Sequence, residues 1–312
     1  MAKRLTTVQT VRGPVAVSEL GRVLPHEHVA CDLFRVTRQM GLAALNDPDE
    51  AVRDLKVFKE LGGGSVVEAT SGGLGRKPGV LRSVSERADV HIVMGCGWYR
   101  EPYYEADMNK VSTAELTERL LIDIFEGEDG VRPGVIGEIG ADREWVSGVE
   151  ERVLRAAARA QQETGLGLIL HAVKSEVGAW QLDVLEDEGC DLSRVAVGHC
   201  DTYPDVDYHE RLAERGAMVM YDGNGPGDSL LQEQRVANAV ELIRRGWAKS
   251  LLLSHDVCVL GMRERRGGPG YSYVLRQVGP DLIAAGVPED VVETIFRENP
   301  LQLLAGHRPG DN

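Results

Sequence analysis

Residues 24–29 read Leu24-Pro25-His26-Glu27-His28-Val29, and this stretch indicates where the first strand of the fold ends. Two histidines two residues apart, after an apolar run and a proline, are typical of the end of a strand. Side chains at positions i and i+2 of a strand point to the same face, so His26 and His28 would project together and Glu27 away from them. Two adjacent imidazoles make a divalent metal site when carboxylates or further imidazoles converge on them. Taken alone, the stretch is equally compatible with a histidine-rich surface turn.

Eight short runs rich in valine, isoleucine, leucine or methionine begin at this stretch, as expected for parallel strands buried on both faces. They cover residues 22–26, 64–69, 90–95, 134–139, 166–171, 195–199, 217–221 and 250–254. Amphipathic helical patterns lie between most of them, at residues 50–61, 113–125, 150–163, 208–215 and 231–245. This alternation predicts an α/β fold, a (β/α)8 TIM barrel, and the chain length suits one. Alternating polar and apolar side chains predict a short N-terminal β-hairpin within residues 1–20.

A doubly wound parallel sheet is the alternative fold, and the glycines argue against it. Such a sheet usually carries a phosphate-binding glycine loop after its first strand. Here the first strand is followed by Val29-Ala30-Cys31-Asp32, and the Gly72-Gly73-Leu74-Gly75 cluster after the second strand fails the GxGxxG spacing. The cluster is interpreted as a mobile loop. With no linker, low-complexity tract or internal repeat, residues 1–312 are predicted to form one domain.

The composition and net charge of the chain indicate which kinds of molecule it can bind. The formal net charge of −14 argues against nucleic acid or an anionic membrane as the main partner, which leaves a small-molecule substrate. No apolar run approaches the ~20 residues of a membrane-spanning helix, and the first seven residues lack an apolar segment of secretory type. The five scattered cysteines are expected to be reduced thiols, which indicates a cytoplasmic protein.

Six candidate metal ligands fall at the C-terminal ends of five predicted strands, which is where barrel active sites form. They are His26, His28, Glu138, His171, His199 and Asp256. Four imidazoles and two carboxylates are too many for one four-coordinate zinc ion but suit two metal ions that share a bridge. His171 or His199 alone could be a core histidine, but chance would not place ligands at five strand ends. His255, next to Asp256, should face outward toward the helices.

The sequence around these residues resembles the phosphotriesterase family of the amidohydrolase superfamily almost from end to end. The matching motifs are Thr10-Val11-Arg12-Gly13-Pro14, Leu24-Pro25-His26-Glu27-His28, Val197-Gly198-His199-Cys200-Asp201, Ser254-His255-Asp256, Gly267-Gly268-Pro269-Gly270-Tyr271 and Glu298-Asn299-Pro300. The chain looks like the phosphotriesterase-like lactonases and phosphotriesterase homology proteins of the glutamate-bridged subgroup. The resemblance implies a binuclear centre with His26, His28 and Asp256 on the more buried metal. It implies His171 and His199 on the outer metal.

Glu138 marks a departure from the best-known family members, which carry a carbamylated lysine at this position. Some members that resemble this chain have a glutamate here, and a carboxylate can bridge two cations as a carbamate does. The resemblance therefore implies that Glu138 bridges the two metal ions without a need for carbon dioxide. The same departure weighs against efficient phosphotriester hydrolysis. Two divalent ions are expected, Zn2+ first, with Mn2+, Co2+ or Fe2+ as alternatives.

Tyr99 and a group of cationic side chains are the candidate contacts to substrate. Tyr99 ends the third strand and matches a tyrosine that approaches the substrate in similar family lactonases, although it could equally cap the barrel core. The loop after the last strand carries three arginines whose shape suits a carboxylate or phosphate of the substrate, Arg263, Arg265 and Arg266. A solvated or dimer-facing loop is the alternative. Lys174, just past His171, is a second candidate for the same role.

The hypothesis that follows is a metal-dependent hydrolase that opens a carboxylic ester, with a lactone as the leading candidate. A hydroxide bridging the two metals would attack the carbonyl carbon while the outer metal polarises the oxygen. Asp256 would carry the proton to the leaving alkoxide, and Tyr99 would orient the acyl group or the leaving oxygen. The alternatives are amide or phosphoester hydrolysis on the same site, non-hydrolytic metal chemistry, and a metal-bearing binding protein without turnover. A homodimer is the expected assembly.

Overall fold

The computed structural model describes residues 4–38 and 41–307, and eight parallel strands form its centre. An antiparallel hairpin of β1 (Thr7–Thr10) and β2 (Gly13–Ala16) precedes them. The barrel strands are β3 (Arg22–Glu27), β4 (Gly63–Glu68), β5 (His91–Cys96), β6 (Val135–Gly140), β7 (Leu168–His171), β8 (Val195–Gly198), β9 (Met218–Tyr221) and β10 (Leu251–Leu253). Each strand from β3 to β10 pairs in parallel with the next along the chain. The predicted TIM barrel and its N-terminal hairpin are confirmed.

Helices cover the outside of the barrel. They are α1 (Phe34–Thr37), α2 (Pro48–Glu60), α3 (Pro78–Ala88), α4 (Thr113–Glu126), α5 (Gly148–Thr164), α6 (Val177–Asp187), α7 (Val206–Glu214), α8 (Ser229–Leu242), α9 (Gly279–Ala284) and α10 (Glu289–Ala305). Single turns of 3-10 or π geometry occur at Val17–Glu19, Glu101–Tyr103, Met108–Lys110, Leu192–Arg194, Cys200–Thr202, Ile243–Trp247, Ala248–Ser250, Leu260–Met262, Glu264–Arg266 and Val274–Val278. In the part of the chain that the structure describes, no helix is long and apolar enough to cross a membrane.

Capping side chains set where the helices begin. At the start of α5, Ser147 Oγ accepts a hydrogen bond from Glu150 N at 3.3 Å, and Glu150 Oε2 accepts one from Ser147 N at 2.9 Å. This reciprocal capping box satisfies two backbone donors that the first turn leaves unpaired. The helix ends at Gly165, whose φ of 70° suits a residue without a side chain.

The barrel interior is a packed core to which every barrel strand contributes an apolar side chain. These side chains are Val23, Val67, Val93, Val135, Ile169, Ala196, Met220 and Leu252. Val8 of the hairpin and Leu303 of α10 pack onto the same cluster at the N-terminal ends of the strands. Because that end is filled and covered, the C-terminal ends of the strands are left to carry polar groups.

Ser254 closes the barrel between its first and last strands. Its Oγ accepts a hydrogen bond from His26 N at 3.1 Å. The same Oγ lies 2.8 Å from His26 O and 2.8 Å from Glu27 Oε1, so its hydroxyl can donate to either oxygen. Asp256 N donates to His26 O at 3.2 Å. The seam of the barrel therefore places the two histidines of β3 beside Asp256.

The glycine cluster after β4 is packed closely, in contrast to the mobile loop expected there. Gly72 N donates to Gly97 O at 2.6 Å, and a Cβ at Gly73 would lie 2.5 Å from Tyr103 O. Gly73 also has a φ of 93°, a conformation that residues with a side chain rarely adopt. The glycines are needed because two backbone segments approach each other at the barrel mouth.

Candidate metal centre

The structure brings five of the six predicted ligands into two overlapping groups at the barrel mouth. One group is His26, His28 and Asp256, and the other is His26, Glu138 and His199. Within each group, one potential ligand atom per residue lies within 4.8 Å of the others. His28 Nε2 is 3.1 Å from Asp256 Oδ1, and His199 Nε2 is 3.3 Å from Glu138 Oε2. Except for Asp256, whose side chain is 24% exposed, these side chains are buried.

Glu138 lies between the histidines and faces them with both carboxylate oxygens. Its Oε1 is 3.7 Å from His28 Nε2, while its Oε2 is 3.5 Å from His26 Nε2 and faces His199 as well. A carboxylate whose two oxygens between them face the imidazoles of both groups is placed to contact two cations.

His171 joins the cluster from β7 but lies outside both groups. Its ring centroid is 4.6 Å from that of His199, and its Nε2 is 3.0 Å from the hydroxyl of Tyr99. Its Nδ1 is buried and has no hydrogen-bond partner among the described residues. If Nδ1 carries the lone pair of a metal ligand, Nε2 carries the proton and donates it to Tyr99. The hydroxyl proton of Tyr99 is then left free for another acceptor.

Asp222 holds two of the candidate ligands in one tautomer. Its Oδ2 is 2.8 Å from His26 Nδ1, and its Oδ1 is 2.8 Å from His199 Nδ1. The side chain of Asp222 is fully buried, so both imidazoles donate Nδ1–H to a desolvated carboxylate. In the neutral imidazoles this leaves each Nε2 with its lone pair directed at Glu138, where either a proton or a cation can be bound. Carboxylates that orient metal-binding histidines in this way also raise their basicity.

His28 is oriented by a second chain of hydrogen bonds. Thr70 Oγ1 donates to Glu68 Oε1 at 2.6 Å, so it accepts from His28 Nδ1 at 2.8 Å. Glu68 Oε1 also accepts from Val29 N at 3.2 Å, and the three polar side chains are buried. Nε2 of His28 is therefore the nitrogen that faces Asp256 with a lone pair.

Two of the candidate ligands have backbone conformations that side chains disfavour. His199 has a φ of 60° and Asp256 a φ of 51°. His199 is held there by its own N–H, which lies 3.1 and 3.2 Å from the two carboxylate oxygens of Asp222. Strain of this kind persists where the surrounding structure over-determines the backbone, and it clusters at functional sites.

The carboxylates control the protonation of the cluster. Burial alone lowers the pKa of His26, but the charge of Glu138 and the hydrogen bond to Asp222 outweigh it and raise that pKa well above its usual value. Burial is outweighed in the same way at His199, where Asp222 raises the pKa. Burial lowers the pKa of His171 to about 3, so its imidazole is neutral at neutral pH. Because ligands must be deprotonated, protons and divalent cations compete for these nitrogens.

The donor set fits divalent metal ions. His26 Nε2 and His171 Nδ1 are both buried without a hydrogen bond to any described residue. A buried polar atom without a partner is costly, and bound cations would satisfy both nitrogens. Imidazole and carboxylate ligands suit Zn2+ and also Mn2+, Co2+ or Fe2+.

Glu27 and His255 lie on the opposite side of their strands, as the alternation of side chains predicts. Glu27 Oε1 accepts from His255 Nδ1 at 2.6 Å, and His255 Nε2 accepts from Val274 N at 2.9 Å. Glu27 Oε2 accepts from Val257 N at 3.0 Å. These buried contacts fix the segment that carries Asp256.

The three loop arginines predicted to contact substrate all have protein partners. Arg263 is buried and donates to Tyr271 Oη and, at 3.0 Å, to Val29 O. Arg265 and Arg266 form ion pairs with Glu50 at the start of α2. Their contacts are those of residues that hold the loop in place, so the geometry lends the substrate-binding assignment no support. Lys174, in contrast, is exposed three residues past His171 and lines a cleft.

Sequence reasoning missed Asp222, Glu68 and Thr70. Asp222 follows β9 directly, so an acid at the end of the seventh barrel strand was a signal of the same kind as the six ligands. Glu68 ends β4 and Thr70 lies two residues later, again at a C-terminal strand end. Their roles follow from which imidazole each one faces, and this depends on the closed barrel.

A model of the phosphotriesterase family matches residues 6–304. This chain belongs to the phosphotriesterase family. Members of the family are hydrolases with binuclear metal centres, which agrees with the cluster described above. The predicted family resemblance is thus confirmed.

Known proteins match this chain over nearly its full length. The N-acetyltaurine hydrolase of Rattus norvegicus is 33% identical over 343 aligned positions, which cover 95% of this chain and 97% of that protein. The crystal structure of a resiniferatoxin-binding protein from Rhodobacter sphaeroides superposes with a TM-score of 0.90 at 30% identity, covering 98% and 97% of the two chains. A phosphotriesterase homology protein from Escherichia coli, complexed with phosphate in its active site, gives 0.87 at 29% identity, covering 92% and 99%.

Proposed function

We propose that this phosphotriesterase family member hydrolyses a carboxylic acid derivative with two divalent metal ions, and that an N-acyl amide is its first candidate substrate. The observation that carries the proposal is the placement of Glu138, with one carboxylate oxygen toward His28 and the other toward His26 and His199. The amide is favoured by the relative from Rattus norvegicus, which is an N-acetyltaurine hydrolase and matches this chain almost end to end.

The assignment of residues to the two ions is the ligand set that the resemblance to the family implies. His26, His28 and Asp256 would hold one ion, His171 and His199 the other, and Glu138 both; Zn2+ is the expected metal. When bound, two such ions supply Lewis-acid polarisation of a carbonyl oxygen and a hydroxide nucleophile at neutral pH.

Asp256 is suited to move the proton. Its side chain is the most exposed of the five grouped ligands at 24%, so it can meet both the attacking water and the substrate. Its Oδ1 faces the imidazoles of His28 at 3.1 Å and His26 at 3.8 Å, whereas Oδ2 has only a long contact, 3.7 Å, from the Cys258 thiol. Oδ2 can therefore accept the proton of the attacking water and return it to the leaving nitrogen of an amide, which must be protonated to depart.

Tyr99 is suited to orient the substrate. Its hydroxyl lies 3.0 Å from His171 Nε2 and accepts from it when His171 binds through Nδ1. Burial raises the pKa of Tyr99 well above its usual value, so the hydroxyl keeps its proton and can donate it to a carbonyl or leaving group. The same position supports a lactone as the second candidate, because a tyrosine approaches the substrate here in the lactonases that this sequence resembles.

The test compares three substrate classes on one metal-loaded preparation. N-acetyltaurine, a γ-lactone and a phosphotriester are assayed before and after the metal is removed with a chelator. The proposal expects turnover of the amide or the lactone, little of the phosphotriester, and loss of turnover that returns when metal is restored.

Glu138→Gln, compared with a control substitution, tests whether Glu138 is needed for metal binding or only for stability of the fold. It keeps the shape of the side chain but removes the charge that balances two cations, so at least one ion and most activity should be lost. Glu150→Gln is the matched control, since Glu150 is an equally buried carboxylate whose partners at the start of α5 are backbone N–H groups. Full turnover with two ions per chain in Glu138→Gln would contradict the proposed bridge.

A further inference from the structure

A cleft of about 260 Å³ lies between the loops after β7 and β8 and helix α8, and its lining includes Lys174, three residues past His171, and Asp201, two residues past His199. Its lining combines two cationic side chains, Lys174 and Arg235, with the apolar surfaces of Pro204 and Leu231. Of the described residues that line it, Asp201 alone is acidic. Because Arg235 is paired with Asp201, Lys174 gives the lining a net positive charge, which is a local reversal of sign in a chain with a net charge of −14.

Asp201 fixes Arg235 and connects it to the metal centre. The side chain of Asp201 is fully buried, and its Oδ2 accepts from Arg235 Nε at 2.6 Å. Its Oδ1 accepts from Asp222 N at 3.1 Å, while the carboxylate of Asp222 holds the imidazoles of His26 and His199. A single residue, Asp201, therefore connects the guanidinium of Arg235 to Asp222, which orients two candidate metal ligands.

The cleft offers donors that the protein does not use. Among the described residues, neither the Nη atoms of Arg235 nor Nζ of Lys174 donates a hydrogen bond to a protein group. Arg235 is only 17% exposed, and its Nη2 would lie 2.8 Å from a Cβ at Gly223, so the absence of a side chain there lets the guanidinium approach the loop. A guanidinium held at Nε by a carboxylate still presents terminal N–H groups to an oxyanion.

We infer that this cleft binds the acid group, a carboxylate or a sulfonate, of an N-acyl amino acid or N-acyl aminosulfonate whose amide lies at the metal centre. The inference rests on the proposed function and adds the substrate class to it. Arg235 and Lys174 bind the oxyanion, and Leu231 and Pro204 cover the methylene groups between the acid and the amide. Binding energy from this remote group positions the amide for attack.

The test measures a preference for charge. N-acetyltaurine and N-acetyl-β-alanine carry the acid group, and N-propylacetamide is their neutral analogue of similar length. The metal-loaded parent should hydrolyse both acids with a kcat/KM at least about 10-fold above that of the neutral amide, mainly through a lower KM. The parent should treat the two acids alike, because a guanidinium and an ammonium recognise either oxyanion.

Substitutions in the cleft should reduce this preference for the acids. Lys174→Gln should lower kcat/KM for the acids on the order of 10-fold without changing kcat for N-propylacetamide, and Arg235→Gln should lower the ratio of kcat/KM for the acids to kcat/KM for N-propylacetamide by a similar factor. Arg235→Lys retains a positive charge beside the buried Asp201, so it distinguishes a lost contact to substrate from the effect of leaving that carboxylate unpaired. Arg244→Gln is the matched control, because Arg244 is exposed just beyond α8 and pairs with Glu241.

The possible outcomes separate the cleft from the proposed function. No preference in the parent, or equal losses on acidic and neutral amides in both cleft variants, would overturn the inference. If no amide is hydrolysed, the amide part of the proposed function fails. Calorimetric binding of N-acetyltaurine and N-propylacetamide to the metal-loaded parent and variants then tests the cleft by the same comparison. Inorganic sulfate that binds as tightly as N-acetyltaurine would mean a free-anion site and would overturn the inference as well.

Discussion

Asp222→Asn is the substitution that tests the organisation of the metal centre most sharply. Asp222 contacts neither water nor the other candidate ligands, and it acts through His26 and His199, whose Nδ1 atoms lie 2.8 Å from its two oxygens. An asparagine has the same shape but offers one carbonyl oxygen and one NH2 group. One imidazole keeps its acceptor, while the other meets a donor and must move its proton to Nε2, where it blocks metal binding.

The expected loss of metal affinity in Asp222→Asn follows from the number of contacts that Asp222 makes. Removing a partner that orients a metal-binding histidine typically costs about 10- to 100-fold in affinity or activity. Asp222 orients two histidines and also accepts from His199 N at 3.1 Å, so the upper end of that range is expected. A loss on the order of 100-fold in affinity for one ion corresponds to about 2.7 kcal/mol.

Metal content by elemental analysis and competition with a chromophoric chelator measure this loss directly. Thermal unfolding and the circular dichroism spectrum show whether the barrel is intact. Glu150→Gln, which removes a buried carboxylate at α5, should leave metal affinity unchanged. An Asp222→Asn variant that is folded and binds both ions as tightly as the parent would refute the reasoning that Asp222 sets the tautomers.

Three further predictions concern proton transfer, substrate orientation and pH. Asp256→Asn should leave the barrel folded but lower kcat on the order of 100-fold or more, the scale of losing a positioned proton-transfer group, and unchanged kcat with metals in place would remove Asp256 from the chemistry. Tyr99→Phe should lower kcat about 10-fold with metal content unchanged, and a loss of metal instead would make Tyr99 a support for His171 alone. The raised pKa values of His26 and His199 stabilise the metal-free protein below about pH 6.5, the unfolded value, and this contribution is lost as pH rises through the folded values. The melting temperature of chelator-treated protein should therefore fall as pH rises above about 6.5, while the stabilisation by added Zn2+ should grow, and a flat profile for both would contradict the assignment.

The barrel and its ligand-bearing strand ends were predictable because they depend on short-range patterns. Parallel strands buried on both faces give apolar runs, and a polar residue at the end of such a run stands out, as Glu138 does within Val135–Gly140. The alternation of side chains along β3 also predicted that His26 and His28 face inward and Glu27 outward. These inferences need only the period of a strand and the rule that barrel sites lie at C-terminal ends.

The supporting residues and the loop contacts were not predictable in the same way. Whether Asp222 holds an imidazole depends on the distance between β3, β8 and β9 in the closed barrel, and no local pattern specifies this. The loop with Arg263, Arg265 and Arg266 is a second example, since three arginines in four residues suggest that the loop binds an anionic group of the substrate. The structure supplies the anion from within the chain, because Arg265 and Arg266 pair with Glu50 and Arg263 supports the backbone after His28.

Anomalous diffraction from crystals of the Zn2+-loaded protein tests the central claim most directly. Data collected on both sides of the zinc absorption edge locate the ions without reference to any activity. The account predicts two peaks per chain, one on each side of the Glu138 carboxylate, with His28 and Asp256 beside one peak and His171 and His199 beside the other. A single peak bound by only one of these groups, or zinc bound elsewhere on the chain, would contradict it.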